Sequence, residues 1–211
     1  MKIVIPDEYQ DLVHTLKCFR ALDGHEVVRV RAPARDEDHL VELLKDADCI
    51  VLIRERTQIT PSVLARLPKL KLVSLVGRRS RAIDIDACTA RGITVATGTQ
   101  ASPVAPAELT WALIMASRRN IPSEVQWMKE GRWPNTLSHR LRGSTLGIFG
   151  LGLIGTLVAE AGKGMGMRIL VHGRDKSARE ARERGYDVAA SKAEFFEQSD
   201  VLSLHVRLVK E

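Results

Sequence analysis

The sequence predicts an α/β protein whose parallel sheets are covered by helices, and three observations carry that expectation. Short β-branched runs alternate with helical patterns along the whole chain, as strand–crossover–strand units do. A glycine fingerprint, Gly150-x-Gly152-x-x-Gly155, stands between an apolar strand and an Ala-rich helix. The composition, 45% hydrophobic, 4% aromatic and 27% charged over 211 residues, is that of a folded chain. At roughly 100 to 150 residues per domain it suffices for one large domain or two small ones.

The elements follow in order. KIVIP at 2–6 opens as a strand, and the apolar spacing over 11–22 predicts a helix. A strand over 25–30, a helix over 36–45 and a strand over 48–53 come next. Thr60-Pro61 begins a short helix over 61–67, a strand covers 70–76, Gly92 closes a helix over 86–91, and a strand covers 93–96. Proline in the first helical turn and glycine just past the last obey the usual asymmetry of helix ends. Residues 1 to about 98 thus form a five-stranded α/β unit.

A long helix is predicted over 102–119, with its prolines confined to the first turns and arginines at the end, where they suit the helix dipole. A second helix over 123–129 stops at Gly131, a polar stretch covers 134–140, and a fresh strand starts at Ser144. The expected division is therefore 1–100 as the first α/β domain, 101–141 as crossover helix and helical arm, and 142–211 as a second α/β unit.

Several function classes are excluded. The net charge is +6, but 32 Lys and Arg are interspersed with 26 acids. The densest basic run, Arg78-Arg79-Ser80-Arg81, has no aromatics between its cations to stack on bases, so no nucleic-acid partner is expected. No apolar run approaches the ~20 residues that cross a bilayer, and no signal-peptide core follows Met1, which together predict a cytoplasmic protein without membrane contact. Cys18, Cys49 and Cys88 are odd in number and lack metal-type spacing. They are read as buried free thiols, with no metal site.

The fingerprint gives the chemistry. A strand over 145–149, the three glycines, a helix over 153–162 and a second strand over 167–172 form one dinucleotide-binding unit. Gly150 permits the tight turn, Gly152 admits the pyrophosphate to the backbone, and Gly155 lets helix and strand pack closely. Free amides at the helix N-terminus then face the phosphates. At the end of the second strand, where a carboxylate would hold an adenosine ribose, stand Gly173 and Arg174, with Asp175 beyond. No acid repels a 2′-phosphate and a guanidinium is present, which favours NADP, while Asp175 leaves NAD open.

With these motifs the chain resembles the D-isomer-specific 2-hydroxyacid dehydrogenases. The resemblance runs through LKLVSLVGRRSRAIDIDACTARGITVATGT (70–99), VAPAELTWALIMASRR (104–119), GRW (131–133), LRGSTLGIFGLGLIG (141–155) and SDVLSLHVRL (199–208). It implies a flavodoxin-like substrate domain followed by a Rossmann coenzyme domain, here its first half, and a homodimer made through the coenzyme domain and the arm at about 100–141. It further implies that Leu153 and Ile154 cover the pyrophosphate, that Gly173 and Arg174 border the ribose, and that His205 and Val206 lie beside the cofactor. Val76, Gly77 and Arg78 would present backbone N–H groups to the carboxylate of a small 2-keto or 2-hydroxy acid.

Two departures accompany the resemblance. Arg79 and Arg81 stand where relatives have a glycine and an aspartate, which suits either a more anionic substrate or a solvated surface. In the family, an Arg holds the 2-keto acid and a His oriented by a Glu moves the proton. No residue of this chain matches them, so no catalytic residue is assigned, and His205 matches a strand-end position instead. The expectation is an NAD(P)-dependent oxidoreductase type whose 211-residue chain is inactive alone. The alternatives are a non-catalytic NAD(H)-binding, corepressor-like module and an inactive truncated product.

Overall fold

A computed structural model describes residues 1–77, 81–98, 102–133 and 136–206. The chain falls into two compact units, Met1–Ala101 and Ser102–Glu211.

The first unit is one parallel sheet of five strands with helices between them. In chain order it contains β1 (Lys2–Ile5), β2 (Glu26–Arg29), α1 (Glu37–Leu44), β3 (Cys49–Ile53), α2 (Pro61–Ala65), β4 (Leu72–Val76), α3 (Ile85–Ala90) and β5 (Thr94–Thr97). The strand order β2-β1-β3-β4-β5 is the flavodoxin-like one. The central strands read as near-continuous apolar runs because both faces are covered: Val4, Ile50, Leu52 and Val73 are fully buried with Leu44 and Leu64 of the helices. Each helix starts where a side chain can hold an orphan amide. Asp36 accepts from His39 N–H at 2.8 Å, Thr60 from Val63 N–H at 3.2 Å, and Asp84 from Ala87 N–H at 2.8 Å.

The helix predicted over 11–22 does not form. Two 3₁₀ turns, Val13–Thr15 and Lys17–Leu22, take its place. Asp11 enters the segment with φ +50°, held there by Arg29 and Arg31. Leu12 and Leu16, which supplied the helical spacing, are more than half exposed. The period was present, but no apolar face packs to turn it into a helix. Cys18 lies in this segment and is exposed, a correction to its expected burial, whereas Cys49 and Cys88 are buried. Burial pushes both of those thiols above the ordinary cysteine range.

The second unit opens with α4 (Val104–Arg118) and α5 (Ile121–Lys129). It continues with β6 (Thr145–Phe149), α6 (Leu153–Gly164), β7 (Arg168–His172), α7 (Asp175–Glu183), β8 (Asp187–Val188), α8 (Lys192–Gln198) and β9 (Val201–Leu204). The parallel order β8-β7-β6-β9 is that of the first half of a Rossmann sheet plus the fourth strand across the switch point, one strand more than the half expected from the sequence, with the edge strand β8 and the helices α7 and α8 beyond the elements read there. On one face α6 is pressed onto the sheet and α4 onto α6. A Cβ on Gly162 would stand 2.7 Å from Leu146 Cδ2 and 3.4 Å from Trp111 of α4. On the other face the fully buried Phe195 of α8 packs on Phe149 and His172, whose rings stack at 5.2 Å. At the N-terminal edge of the sheet, Arg168 donates from its three guanidinium nitrogens to Thr145 Oγ1, Asp187 and Gln198. Among the described residues, no helix is long and apolar enough to cross a membrane.

Candidate functional site

The strand order of the second sheet reverses between β6 and β9, because α6 leads from β6 to one side and β9 lies on the other. In open α/β sheets such a switch point is where a ligand finds a crevice at the carboxyl ends of the strands. The fingerprint is located there. Gly150 leaves β6 with φ +94°, a left-handed conformation that glycine adopts without strain. Its N–H donates to His172 O of β7 at 2.8 Å, and His205 N–H donates to Phe149 O at the same distance, so the turn is fastened to strands on both sides.

Each glycine has a separate reason to lack a side chain. A Cβ on Gly150 would meet Val206 Cγ1 at 2.7 Å and the carbonyl of His205 at 3.0 Å. One on Gly155, buried in the first turn of α6, would fall on the carbonyl oxygen of Gly150. At Gly152, in contrast, a Cβ would have no atom within 4 Å, so that position faces open space. The first α6 hydrogen bond runs from Thr156 N–H to Gly152 O at 2.9 Å. The amides of Leu153, Ile154 and Gly155 therefore precede the helical ladder and point out along the axis. The first turn of α6 carries no acidic residue. Free amides, the positive end of a helix dipole and open space at Gly152 fit a pyrophosphate.

Around this cradle, Leu153 is 67% exposed over the helix start, while Ile154 packs against the core. Gly173 directly follows β7, Arg174 is the exposed N-cap residue of α7, and Asp175 is its first residue. Among the described residues Arg174 has no acidic partner, which leaves its guanidinium free. His205 is half-buried and its Nε2 lies 2.8 Å from Ser203 Oγ. Burial pushes its pKa below the ordinary imidazole value, which keeps the ring neutral near pH 7. Ser177, which the sequence did not single out, accepts a hydrogen bond from Leu151 N–H at 3.2 Å.

In the first unit, Val76 ends β4 with 59% exposure and Gly77 follows with φ +141°. Arg78 and Arg79 lie outside the described residues, and Arg81 is exposed. Arg54 was also passed over in the sequence. Ile53 pairs with Val76, so Arg54 and Gly77 leave the sheet at the same level, Arg54 in a left-handed conformation with φ +61°. The available signal was a lone cation directly after the strand CIVLI. A separate cleft of about 210 Å³ opens near Asp7 and Asp36. Its carboxylates already serve the protein: Asp7 accepts from Thr57, Asp36 caps α1 and Glu37 accepts from Ser62.

Residues 111–211 match the sequence profile of the D-isomer specific 2-hydroxyacid dehydrogenase, NAD binding domain. A phosphoglycerate oxidoreductase from Vibrio cholerae is 48% identical, covers 99% of this chain, and superimposes with a TM-score of 0.92 over 67% of its own length. The chain belongs to the D-isomer-specific 2-hydroxyacid dehydrogenase family. A structure of a putative D-3-phosphoglycerate dehydrogenase from Ralstonia solanacearum is also 48% identical, with a TM-score of 0.90, and 65% of it is covered against 98% of this chain. Among curated relatives, a glyoxylate reductase from Aeropyrum pernix is 34% identical over 84% of this chain and 52% of its own length. For D-3-phosphoglycerate dehydrogenase from Methanocaldococcus jannaschii the figures are 34%, 82% and 33%. The chain therefore spans a third to about half of the length of these curated relatives. The matched profile is that of an NAD-binding domain, and the dinucleotide it supports is NAD or NADP.

Proposed function

We propose that this dehydrogenase chain belongs to an oxidoreductase that acts on a small 2-keto or 2-hydroxy acid. When bound, the dinucleotide supplies or accepts a hydride at the C2 carbon of that acid. The observation that carries the reading is the cradle at the β6–β9 switch point, open at Gly152, without an acid in the first turn of α6 and lined by the unpaired amides of Leu153, Ile154 and Gly155. Those amides hold the phosphates, Gly150 and Gly155 bring helix and strand together, and the neutral His205 with Val206 walls the nicotinamide side. Gly173 and Arg174 border the ribose, and the free guanidinium of Arg174 favours a 2′-phosphate, hence NADP over NAD.

In the first unit, backbone donors of the Val76-Gly77-Arg78 segment orient a substrate carboxylate. The neighbouring cations Arg54 and Arg81 suit a substrate with a second anionic group. The names of the Vibrio and Ralstonia relatives agree with a phosphorylated acid. The family's Arg and its Glu-oriented His match no residue of these 211 residues, so this polypeptide by itself binds dinucleotide without turnover. The exposed apolar side chains of α4 and α5 support a homodimer through the helical arm, and three free thiols suit a reducing, cytoplasmic setting.

The test is a titration of tryptophan fluorescence with NADH and NADPH, together with a keto-acid-dependent oxidation assay. Saturable quenching without turnover is the expected result. Failure of both dinucleotides to bind would overturn the reading, and turnover by the 211-residue polypeptide would overturn its catalytic half.

A further inference from the structure

Three segments of the cradle meet at one hydroxyl group. Leu151 is 2% exposed, and its N–H lies inside the glycine turn between Gly150 and Gly152. It donates to Ser177 Oγ at 3.2 Å, from the third residue of the nine-residue helix α7. Gly173 closes the same corner: a Cβ there would stand 3.1 Å from both Cβ and Oγ of Ser177 and 3.5 Å from Gly150 Cα. Ser177 is itself held in the first turn of α7, where its N–H donates to Arg174 O at 2.8 Å. Beside the backbone bond from Gly150 N–H to His172 O, the residues bordering the ribose and those bordering the pyrophosphate are thus joined by one side-chain hydrogen bond between segments 26 residues apart in the chain.

We propose that Ser177 is a positioning residue for the dinucleotide, locking the pyrophosphate turn onto the first turn of α7 so that the two halves of the cradle are set before the ligand arrives. The proposal rests on the dinucleotide reading above. A buried amide without a partner is costly. Without the hydroxyl, the Gly150–Gly152 turn must shift to bring Leu151 N–H to another acceptor, and the phosphate-facing amides of α6 shift with it. Because Ser177 acts on the turn rather than on the 2′-position, it affects NADH and NADPH alike, whereas Arg174 discriminates between them.

The experiment uses the full 211-residue chain as wild type, Ser177→Ala and Ser177→Thr, measured at a temperature where circular dichroism shows all three folded. Affinities for NADH and NADPH are measured by fluorescence, and amide exchange of Leu151 by NMR on ligand-free protein. Ser177→Ala is expected to lose about tenfold in affinity for the dinucleotide or dinucleotides that wild type binds, with faster exchange at Leu151. Ser177→Thr, which keeps an acceptor oxygen, is expected to restore both. A lowered melting temperature with wild-type affinity and wild-type Leu151 exchange would show a structural role only and overturn the proposal. So would a loss confined to NADPH, which would place Ser177 at the 2′-phosphate. If wild type binds neither dinucleotide, the cofactor reading itself is wrong and the proposal falls with it; a neutral Ser177→Ala in a chain that does bind removes the proposal alone.

Discussion

Thr145 and Asp200 hold each other by two hydrogen bonds: Thr145 N–H donates to Asp200 Oδ2 at 2.7 Å, and Asp200 N–H donates to Thr145 O at 3.0 Å. Lys2 and Asp48 repeat the arrangement in the first unit, at 2.9 Å for both bonds. In each sheet the pair joins the two strands between which the order reverses, β6 with β9 and β1 with β3. A carboxylate is needed there because the amide of the first strand residue has no ladder partner.

Asp200→Ala is accordingly expected to destabilise the second unit by about 1–2 kcal/mol, the cost of leaving a largely buried amide unpaired. Urea unfolding followed by circular dichroism measures it. The equivalent Asp48 carboxyl is held below its ordinary value, first by the Lys2 backbone amide and then by Lys71. A carboxyl depressed in the folded state contributes stability that is complete above the unfolded value near 3.9 and is lost as the pH falls through the lower folded value. Asp48→Asn should therefore flatten the acid limb of the stability profile below about pH 4 without altering its neutral arm's slope.

The glycines of the fingerprint should separate stability from binding. Gly152→Ala places a methyl in open space with φ −97°, so the melting temperature is expected to stay at the wild-type value while dinucleotide affinity falls by tenfold or more, as about 1.4 kcal/mol of phosphate contact is blocked. Gly155→Ala gains helix propensity of about 1 kcal/mol but drives a methyl into the Gly150 carbonyl, and overpacking against backbone costs about 1–3 kcal/mol. Net destabilisation is expected, and calorimetry of the two variants side by side tests the contrast.

Arg174→Ala should weaken NADPH by about 1–2 kcal/mol, the scale of an exposed charge-assisted contact, and change NADH affinity little. Parallel titrations decide it; equal losses for both dinucleotides would remove Arg174 from 2′-phosphate recognition.

Leu109 and Leu113 share a face of α4 at i and i+4, and are 60% and 61% exposed. Leu113→Glu is expected to convert a dimer to a monomer in light scattering coupled to size-exclusion chromatography, with the far-ultraviolet spectrum unchanged. A wild-type chain that runs as a monomer at micromolar concentration would refute the arm as the dimer contact of this polypeptide.

The parallel-sheet fold was legible because burial on both faces writes itself as unbroken apolar strands, CIVLI and LVSLV among them, with caps such as Thr60-Pro61 marking the helices between. The turn at Gly150 and the close packing at Gly155 were legible because a left-handed residue and a helix laid against backbone, at fixed spacing after a strand, leave one residue type. Segment 11–22 misled because its apolar period is not buried. The edge strand β8 was invisible because two residues, Asp187 and Val188, carry no alternation to read. Ser177 and Arg54 escaped for a shared reason: the fold sets each beside a segment distant in sequence, Leu151 in one case and the end of β4 in the other, and no local pattern records such a meeting.

The Arg168 guanidinium fastens β6, β8 and the end of α8 at the edge of the second sheet where the strands begin. The glycine turn and the N-cap of α7 lie at the other rim, one five-residue strand or about 16 Å away. Anchorage and recognition are thus housed at opposite poles of the same strands. On the proposed function, an exposed position of that rim such as Arg174 can change while the root that keeps the strands in register is left untouched, so that one nucleotide preference can be exchanged for another without a loss of foldedness.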